Sequence, residues 1–408
     1  MSHEVPEGWR ESDVAGTCEI LDSRRKPLNS EERRIRRGAF PYWGANGIVD
    51  YIDDWLFDEP LVLMAEDGGY FDEASERPIC HRLNGKAWVN NHAHVIRPTA
   101  ITRDWFYYWF VHRDITPHIK GGTRSKLNQK DLKQLPILVP PLHEQRRIAE
   151  ILSSVDEAIA ATRAVIEQTR KVKQGVLERL LTKGIGHMRF KQTEIGEIPE
   201  GWEVVELQDV ASVRTGIAKN KKEIIDAVDL PYLRVANVQD GYVDLSDLQN
   251  ISIPRGQVER YSLQKGDVLM TEGGDYDKLG RGDVWDGSVE PCLHQNHVFA
   301  VRPDQSRIVP EFLANLTASQ GGKAYFQSCS KRSTNLASIN STQVKHFPVK
   351  LPDLREQLEI VAVSKAFDAA ISVATARLDR QLRFKSALMS DLLAGRKRVT
   401  DALLMAAE

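Results

Sequence analysis

The sequence has few cysteines and no long apolar run, and these absences narrow the classes of protein that it can encode. No Cys-x-x-Cys spacing occurs among its four cysteines, which argues against a disulfide framework and a zinc site. No segment approaches the ~18 consecutive apolar residues of a transmembrane helix, so we expect no membrane span. The first residues, MSHEVPEGWR, lack the basic and apolar order of a secretory signal. A cytoplasmic protein is the simplest interpretation.

An excess of charge of one sign is also lacking, because 55 Lys and Arg and 57 Asp and Glu leave a formal net charge of −2. This balance does not exclude nucleic-acid binding, since local basic patches attract a polyanion whatever the total charge. No Gly-x4-Gly-Lys-Ser/Thr phosphate loop occurs, which argues against an ATP motor. The histidines His81, His92 and His94 lack a second ligand pair at motif spacing, so no metal site is predicted.

What the sequence does contain is a duplication. The opening Pro-Glu-Gly-Trp at 6–9 returns at 199–202, 193 positions later. The segment PPLHEQRRIAEIL at 140–152 resembles PDLREQLEIVAVS at 352–364, 212 positions later. A match of NHAHVIRP with NHVFAVRP lies between them at an offset of 205. Because the matches keep one order while the offset grows, the chain is a tandem duplication of a unit of about 200 residues.

Each repeat combines a mixed domain with a long helix. Short β-like runs, Gly turns and aromatic segments fill its first part, a pattern typical of a compact α+β domain. Prolines then open a helical segment, where they fix the first turn. The predicted boundaries are a first target domain at 1–135, a first long helix at 136–190, a second target domain at 191–347, and a second long helix with a C-terminal tail at 348–408.

Both helical segments carry a heptad pattern of apolar residues over about five heptads, or roughly 60 Å of helix. The predicted seam residues are Ile148, Leu152, Val155, Ile159 and Ile166 in the first helix and Ile360, Phe367, Ile371, Leu378 and Leu388 in the second. Polar residues interrupt both seams at equivalent places, near Thr169/Lys173 and Gln381/Lys385. Either a straight helix drifts off the seam there, or these residues set the register. Since each apolar stripe needs a partner, we predict that the two helices pack as an antiparallel coiled coil.

This pairing would relate the two repeats by a pseudo-two-fold axis, with one globular domain at each end of a rod. Two-fold symmetry matched to separated half-sites is a recurrent way to read duplex DNA. The two domains differ in sequence between their shared blocks, so their half-sites should differ as well. The arrangement therefore predicts recognition of an asymmetric, bipartite DNA sequence.

The Pro-Glu-Gly-Trp openings, the paired Pro-x-Leu-x-Glu-Gln helix entries and the Leu-Leu helix ends resemble the DNA specificity subunit of type I restriction–modification systems. The resemblance covers essentially the whole chain. It implies two target recognition domains that each bind half of a split site in double-stranded DNA. It also implies spacer helices that dock two modification (adenine methyltransferase) subunits, which are joined by up to two restriction (motor-nuclease) subunits in phage defence.

The resemblance further implies that this chain is non-catalytic and binds no cofactor. S-adenosylmethionine would be held by the methyltransferase partner, and ATP and Mg by the restriction partner. An Asn-Pro-Pro-Tyr or Asp-Pro-Pro-Tyr segment, with which such a methyltransferase holds a flipped base, does not occur, and the only Pro-Pro pair opens a helix.

The densest basic stretch leads into an aromatic, glycine-containing segment, and we predict that it faces DNA in the first domain. Basic side chains suit phosphates, while planar or bidentate groups suit base edges. The candidates are Arg24, Arg25, Lys26, Arg33, Arg34, Arg36, Arg37, Tyr42, Trp43 and Asn46. Because Asp22, Glu31 and Glu32 interleave with them, a solvated, salt-bridged surface is the alternative.

Further candidates lie in the second domain and before each helix. The second domain offers Arg214, Lys219, Lys221, Lys222, Arg234 and Asn237, for which a flexible surface loop is the alternative. After its Gly-Gly turn, Lys278 and Arg281 lie in a stretch that differs from the first domain, so they are candidates for base readout. The elements before the helices contribute Lys120, Arg124 and Lys126, and Lys331, Arg332 and Asn335, which suit phosphate contact or else close a loop onto the helix.

Two alternative functions remain compatible with the sequence. A coiled-coil protein–protein adaptor would keep the duplication and the helices but would need no basic loops. A DNA-recognition subunit could also serve a different modification or phage-defence system. Binding to a split sequence that weakens steeply with salt separates DNA recognition from the adaptor.

Overall fold

The computed structural model of the chain describes residues 5–119, 125–218, 225–274, 276–332 and 337–399. The chain divides into two compact units, Met1–Arg163 with Ala376–Glu408, and Ala164–Thr375. Each unit holds one mixed domain and a stretch of each long helix. Within the described ranges, no helix is long and apolar enough to cross a membrane.

The first domain is built from short strands and helices. Its strands are β1 (Arg10–Asp13), β2 (Cys18–Ile20), β3 (Arg37–Gly44), β4 (Gly47–Ile52), β5 (Phe57–Asp58), β6 (Leu61–Ala65), β7 (Cys80–Leu83), β8 (Lys86–Val89), β9 (Ala93–Pro98) and β10 (Pro136–Val139). Its helices are α1 (Val14–Thr17), α2 (Ser30–Ile35), α3 (Arg103–Phe110) and α4 (Gln129–Lys133). One sheet has the order β2-β9-β6-β7, a second has the order β4-β3-β8-β5, and β1 pairs with β10.

The first long helix, α5 (Leu142–Lys183), follows this domain, and α3 packs against its first turns. Thr102 caps α3, since its hydroxyl oxygen accepts a hydrogen bond from the amide of Trp105 at 3.1 Å. Trp105 and Phe106 are fully buried, and burial of such a side chain contributes ~2–3 kcal/mol. The hydroxyl of Tyr108 donates a hydrogen bond to Asp156 of α5 at 2.8 Å. The aromatic helix thereby attaches the sheet of the first domain to α5.

The second domain repeats this construction with different loops. Its strands are β11 (Phe190–Thr193), β12 (Gly196–Pro199), β13 (Glu203–Glu206), β14 (Ala211–Thr215), β15 (Ala227–Leu233), β16 (Gln249–Pro254), β17 (Val268–Thr271), β18 (Gly273–Gly274), β19 (Leu293–His294), β20 (Val298–Pro303), β21 (Lys331–Arg332), β22 (Ala337–Ser338) and β23 (Pro348–Leu351). Its helices are α6 (Val258–Tyr261), α7 (Pro310–Ala318), α8 (Gln320–Cys329) and α9 (Ser341–Lys345), and the long helix α10 (Leu354–Leu393) follows.

The two domains share a core of strand pairings. The order β2-β9-β6 returns as β14-β20-β17, and the antiparallel pair β1–β10 returns as β13–β23. The hairpin β3–β4 with its parallel neighbour β8 returns as the hairpin β15–β16 with its parallel neighbour β19. The repeat predicted from the sequence is therefore present in the fold, and the predicted α+β class is confirmed.

The long helices α5 and α10 begin at Leu142 and Leu354, at the proline-opened entries predicted from the sequence, and the residues before them form the strands β10 and β23. In α5 the seam residues Ile148, Leu152, Ile159 and Ile166 are at most 7% exposed, and Val155 is half-buried. In α10, Ile360 is fully buried, while Phe367, Ile371, Leu378 and Leu388 are half-buried. The heptad seam is thus the covered face of each helix.

In each unit the two helices lie side by side in antiparallel directions. In the first unit, Asp156 of α5 pairs with Lys385 of α10 at 2.6 Å, and Glu144 near the start of α5 pairs with Arg398 beyond the end of α10. In the second unit, Lys173 pairs with Asp368 at 2.5 Å. The predicted antiparallel pairing is confirmed.

These ion pairs also bear on the polar residues that interrupt the seam. Lys173 and Lys385 stand at equivalent positions of the repeat, and so do their partners Asp368 and Asp156. Each lysine therefore makes the same contact with the other helix, which favours a register-setting role for it over simple drift of the seam.

Candidate nucleic-acid interface

Most of the arginines predicted to face DNA in the first domain are engaged in ion pairs at its surface. The pairs are Arg24–Glu59 (3.2 Å), Arg33–Asp50 (3.3 Å), Arg34–Glu31 (3.8 Å) and Arg36–Asp53 (2.9 Å). This group therefore forms a salt-bridged surface, which was the alternative stated from the sequence. Most of its acidic partners are not the interleaved residues named there but come from β4 and the segment after it. Arg34 remains 71% exposed, and exposed Arg37 has no ionic partner in the part of the chain that the structure describes.

Arg25 lies in a buried ion-pair network. Its side chain is 13% exposed and pairs with Glu66 at 2.6 Å and with Asp22 at 3.4 Å. The fully buried His94 shares a hydrogen bond with Asp22 through Nδ1 at 2.6 Å. Burial alone would raise the pKa of Asp22, but the hydrogen bond and charge of His94 hold that pKa below its usual value. Arg25 thus stabilises the first domain, and a contact with DNA would break this network.

The carboxylates and the imidazole of this network also bring three potential metal-ligand atoms within 4.8 Å of one another. Arg25 and Lys126 already balance the carboxylates, since Lys126 lies 3.3 Å from Glu66. The cluster therefore has the charge balance of an ion-pair network. Sequence spacing could not reveal it, because the acidic partners of His94 come from other elements of the domain.

The aromatic candidates of the first domain differ in accessibility. Tyr42 is 1% exposed and belongs to the core, so it offers no face to DNA, contrary to its prediction. Trp43 packs against the ring of His81 with centroids 5.7 Å apart, and its indole N–H is buried without a hydrogen-bond partner among the residues described. Asn46, exposed in the β3–β4 turn, donates a hydrogen bond to the carbonyl of Gly68 at 2.9 Å.

In the second domain, Asn237 and Arg234 hold a turn together. Asn237 is 2% exposed, and its side-chain oxygen accepts a hydrogen bond from the amide of Arg234 at 2.9 Å. It is therefore a structural residue and is not accessible to DNA, contrary to its prediction. The guanidinium of Arg234 pairs with Asp247 at 2.7 Å. Arg214, half-buried on β14, has no ionic partner in the described ranges.

The remaining candidates fall into two groups. Lys26, Lys278 and Lys331 are exposed, and Arg281 is half-buried. Lys120, Arg124, Lys219, Lys221, Lys222 and Asn335, together with the side chain of Arg332, lie outside the described residues. Contact of any of these residues with DNA stays a prediction.

The repeated motifs themselves meet at the helix starts. The indole N–H of Trp9, from the Pro-Glu-Gly-Trp opening, donates a hydrogen bond to Glu144 of α5 at 3.0 Å. In the second unit, Trp202 donates to Glu356 of α10 at 2.9 Å. The glutamate of each duplicated Glu-Gln pair thus ties a domain opening to a long helix. Both motifs recur in the same order in each repeat, and this recurrence was the sequence signal for the contact. The spacing between the motifs did not by itself predict that they touch.

A family model of the type I restriction modification DNA specificity domain matches residues 6–169 and 199–381. These two stretches include both domains and more than half of the chain. The chain belongs to the type I restriction–modification DNA specificity family. The resemblance stated from the sequence is confirmed.

Several relatives in this family match over different lengths. The type I restriction enzyme MjaVIII specificity subunit of Methanocaldococcus jannaschii is 28% identical over 419 residues, which cover 97% of this chain and 94% of that protein. A protein of the same organism, assigned as the MjaX specificity subunit, is 32% identical over 50% of this chain and 48% of its own length. The EcoKI specificity subunit of Escherichia coli is 25% identical over 65% of this chain and 59% of that protein.

Solved structures of type I systems share the fold. The S subunit from M. genitalium superposes with a TM-score of 0.55 at 13% identity and covers 96% of this chain and 97% of that one. A chain from a study of complex assembly and conformational transition of the type I R-M system gives a TM-score of 0.58 at 16% identity, with 96% and 98% covered. At these identities the likeness concerns the fold alone.

In this specificity-family chain, each long helix also exposes an apolar residue at the same repeat position. Val172 of α5 is 42% exposed, and Phe384 of α10, 212 positions later, is 57% exposed. Both lie away from the seam of their helix. Sequence reasoning followed the seam and missed this outer pair, which the constant offset could have revealed.

Proposed function

We propose that this chain is the non-catalytic DNA-reading subunit of a type I restriction–modification complex and that it recognises an asymmetric bipartite site. The observation that carries the proposal is the duplication, since two domains share one topology but present different side chains at equivalent positions. Arg214 at the second domain, for example, stands where the first domain has the buried Leu21, 193 positions earlier. Two such different surfaces fit two different half-sites.

The accessible cations are the residues that we place on DNA. Arg34, Arg37 and Lys26 serve the first domain, because they are exposed and outside the buried network. Arg214, Lys278 and Lys331 serve the second domain. Arg36, held in a surface ion pair with Asp53, can exchange this carboxylate for a phosphate, since exposed ion pairs contribute only ~0–1 kcal/mol each.

Two copies of an adenine methyltransferase subunit would dock on the long helices. The support for two copies is the outer pair Val172 and Phe384, because a duplicated surface matches a duplicated partner. The methyltransferase would supply S-adenosylmethionine, and up to two restriction subunits would join with ATP and Mg. A cytoplasmic location belongs to the same proposal.

The experiment begins with methylome sequencing of a host with and without this gene, which yields the modified sequence. The chain with its modification subunit is then titrated with a duplex that carries this sequence and with duplexes that have one half scrambled. We expect binding that requires both halves and that weakens steeply with salt, because phosphate contacts release counterions. Equal affinity for all duplexes, insensitive to salt, would refute DNA recognition and favour the protein–protein adaptor.

A further inference from the structure

The second unit contains an open cleft lined by three arginines. Its volume is about 570 Å³, and Arg214 from β14, Arg302 from β20 and Arg260 from α6 line it. Glu259 is the only acidic residue among the described lining residues. The cleft is therefore a concave surface in which guanidinium groups outnumber carboxylates.

The three guanidinium groups differ in how they are held. Two nitrogens of Arg302 lie 2.7 Å from the two oxygens of Asp267, a carboxylate that is 1% exposed. This bidentate pair fixes the orientation of Arg302. Arg214 and Arg260 have no ionic partner within the ranges that the structure describes. Two arginines thus face the cleft with one lining carboxylate, Glu259, to balance them.

Strand register places two of these arginines next to each other. Arg302 lies opposite Ser212 and Arg214 lies opposite Ala300 in the antiparallel β14–β20 pair. The two arginines therefore project from one face of the sheet at diagonal positions, about 7–8 Å apart. Burial lowers the pKa of the neighbouring His294, and the charges of both arginines contribute in the same direction, which agrees with their proximity.

In the first domain the equivalent strands, β2 and β9, do not carry this excess of positive charge. Arg97 stands where the second domain has Arg302, but it lies opposite Glu19 and pairs with both Glu19 (2.6 Å) and Glu59 (2.7 Å). The position of Arg214 is occupied by buried Leu21. The excess of positive charge is therefore particular to the second domain and is not a requirement of the shared fold.

From these observations we infer that the arginine cleft of the second domain binds a phosphate group of the DNA backbone. The inference rests on the proposed function and adds Arg260 and Arg302 to the contact surface. Guanidinium groups match phosphate oxygens in planar, bidentate geometry. Arg302, already oriented by Asp267, needs little further ordering, while Arg214 and Arg260 supply charge that is not neutralised inside the domain.

The first test uses Arg214→Gln and Arg260→Gln in the chain complexed with its modification subunit, with Arg255→Gln as control. Arg255 is an exposed arginine outside the cleft lining, so its replacement changes the net charge equally. Each cleft variant should reduce the slope of log affinity against log salt by about 1, so the ratio of affinities at low and fourfold higher salt falls about fourfold. The loss should be equal on specific and scrambled duplexes, because phosphates carry no sequence information.

The second test adds a charge without removing an arginine. Gly256 lines the cleft, and a Cβ at this position would meet no atom within 4 Å. Gly256→Glu should weaken DNA binding several-fold, whereas Gly256→Gln, of equal size and neutral, should bind like the parent chain. Equal affinities and equal salt slopes for this pair, and for the arginine variants and their control, would overturn the inference.

A third measurement, with inorganic phosphate, distinguishes a DNA phosphate from free phosphate as the ligand of the cleft. Thermal stabilisation by phosphate that is lost in Gly256→Glu while DNA affinity stays unchanged would overturn the assignment to DNA, because the cleft would then bind free phosphate. Failure of the inference is distinguishable from failure of the proposed function. In the first case the parent complex still requires both halves of the split site, and in the second it does not.

Discussion

At the scale of single residues, Glu144 and Glu356 connect the domain openings to the long helices. Glu144 is 5% exposed and accepts a hydrogen bond from Trp9 while it pairs with Arg398 at 2.5 Å. Glu356 receives Trp202 and lies 2.9 Å from His187. The same Trp–Glu contact thus has a different additional partner in each unit, Arg398 in the first and His187 in the second. Replacement of such a buried carboxylate by a neutral side chain should lower the free energy of unfolding, because both donors lose a charged acceptor.

Replacement of Glu144 by Gln should therefore destabilise the first unit. We expect the free energy of unfolding to fall by about 1–3 kcal/mol, since a buried charged hydrogen bond and an ion pair are both weakened. Chemical denaturation followed by tryptophan fluorescence measures the change. Glu157→Gln, at an exposed position of the same helix, is the matched control. Equal stability of the two variants would show that Glu144 does not hold Trp9 in solution.

The Asp22 network gives a pH dependence. Because the folded state holds the pKa of Asp22 below the usual value of 3.8, this carboxylate stabilises the fold above that pH, and its contribution is lost as the pH falls through the lowered pKa. The difference in unfolding free energy between the parent chain and Asp22→Asn should be largest at neutral pH and shrink in acid. Urea denaturation at a series of pH values measures it. Asp72→Asn, at an exposed position, should show no such convergence.

Sequence reasoning found the basic residues of the candidate interface but not their partners. The pair Arg33–Asp50 joins residues 17 positions apart, and Arg25–Glu66 joins residues 41 positions apart. Charge patterning sees only near neighbours, so it could not separate the buried Arg25 from the exposed Arg34. The burial of Tyr42 was not predicted either, since alternation along β3 does not indicate which face the rest of the domain covers.

At the scale of secondary-structure elements, the apolar runs and the heptads were the strongest signals. The continuous apolar runs Leu61–Ala65 and Val268–Thr271 form the strands β6 and β17, which are buried on both faces. The prolines marked the starts of the long helices, at Leu142 and Leu354, but the strands just before them were not predicted. Residues 136–139 and 348–351 pair with distant strands, and such long-range pairing has no local signature.

The ion pairs between the long helices can be measured by double-mutant cycles. We expect a coupling of about 0.5–1 kcal/mol for Lys173–Asp368 and a larger one for Lys385–Asp156, whose lysine is only 14% exposed. Unfolding free energies of the single and double variants, with Met for Lys and Asn for Asp, give the coupling. The exposed pair Lys171–Glu167 within α5 is the control and should couple by at most a few tenths of a kcal/mol. If the coupling is no stronger than in this control pair, the lysines do not set the register, and the polar residues mark only the place where a straight helix drifts off the seam.

At the scale of the whole molecule, one duplication produces both the likeness and the difference between the two domains. Strand order and the Trp–Glu contact at each helix start are common to both, so they define the scaffold. Arg214 against Leu21 and the network of His94 against Phe299 differ between the copies. The repeated part was predictable because the sequence states it twice. The diverged part was not, because each surface occurs once and its contacts depend on loops of unequal length.

The proposed function makes the long helices a ruler between half-sites, and this can be tested by shortening both of them. Asp156 pairs with Lys385 in the first unit, and Lys173 pairs with Asp368 in the second. We therefore expect that joint deletion of 160–166 and 375–381, seven residues between the two pairs in each helix, keeps both pairs in register. Removal of both heptads preserves the seam and shortens each helix by about 10 Å. The preferred gap between half-sites should then contract by about three base pairs at 3.4 Å per step. Binding to duplexes with gaps of graded length measures the preference.

The control for this ruler is a variant that lacks one heptad in α5 alone. It disrupts the register of the facing seams, so it should lose stability and show no new preferred gap. If the doubly shortened chain folds as stably as the parent and still prefers the parent gap, the helices do not set the distance between the two halves of the site. The recognised gap would then depend on the modification subunits, and the two domains would have to be positioned by contacts outside this chain.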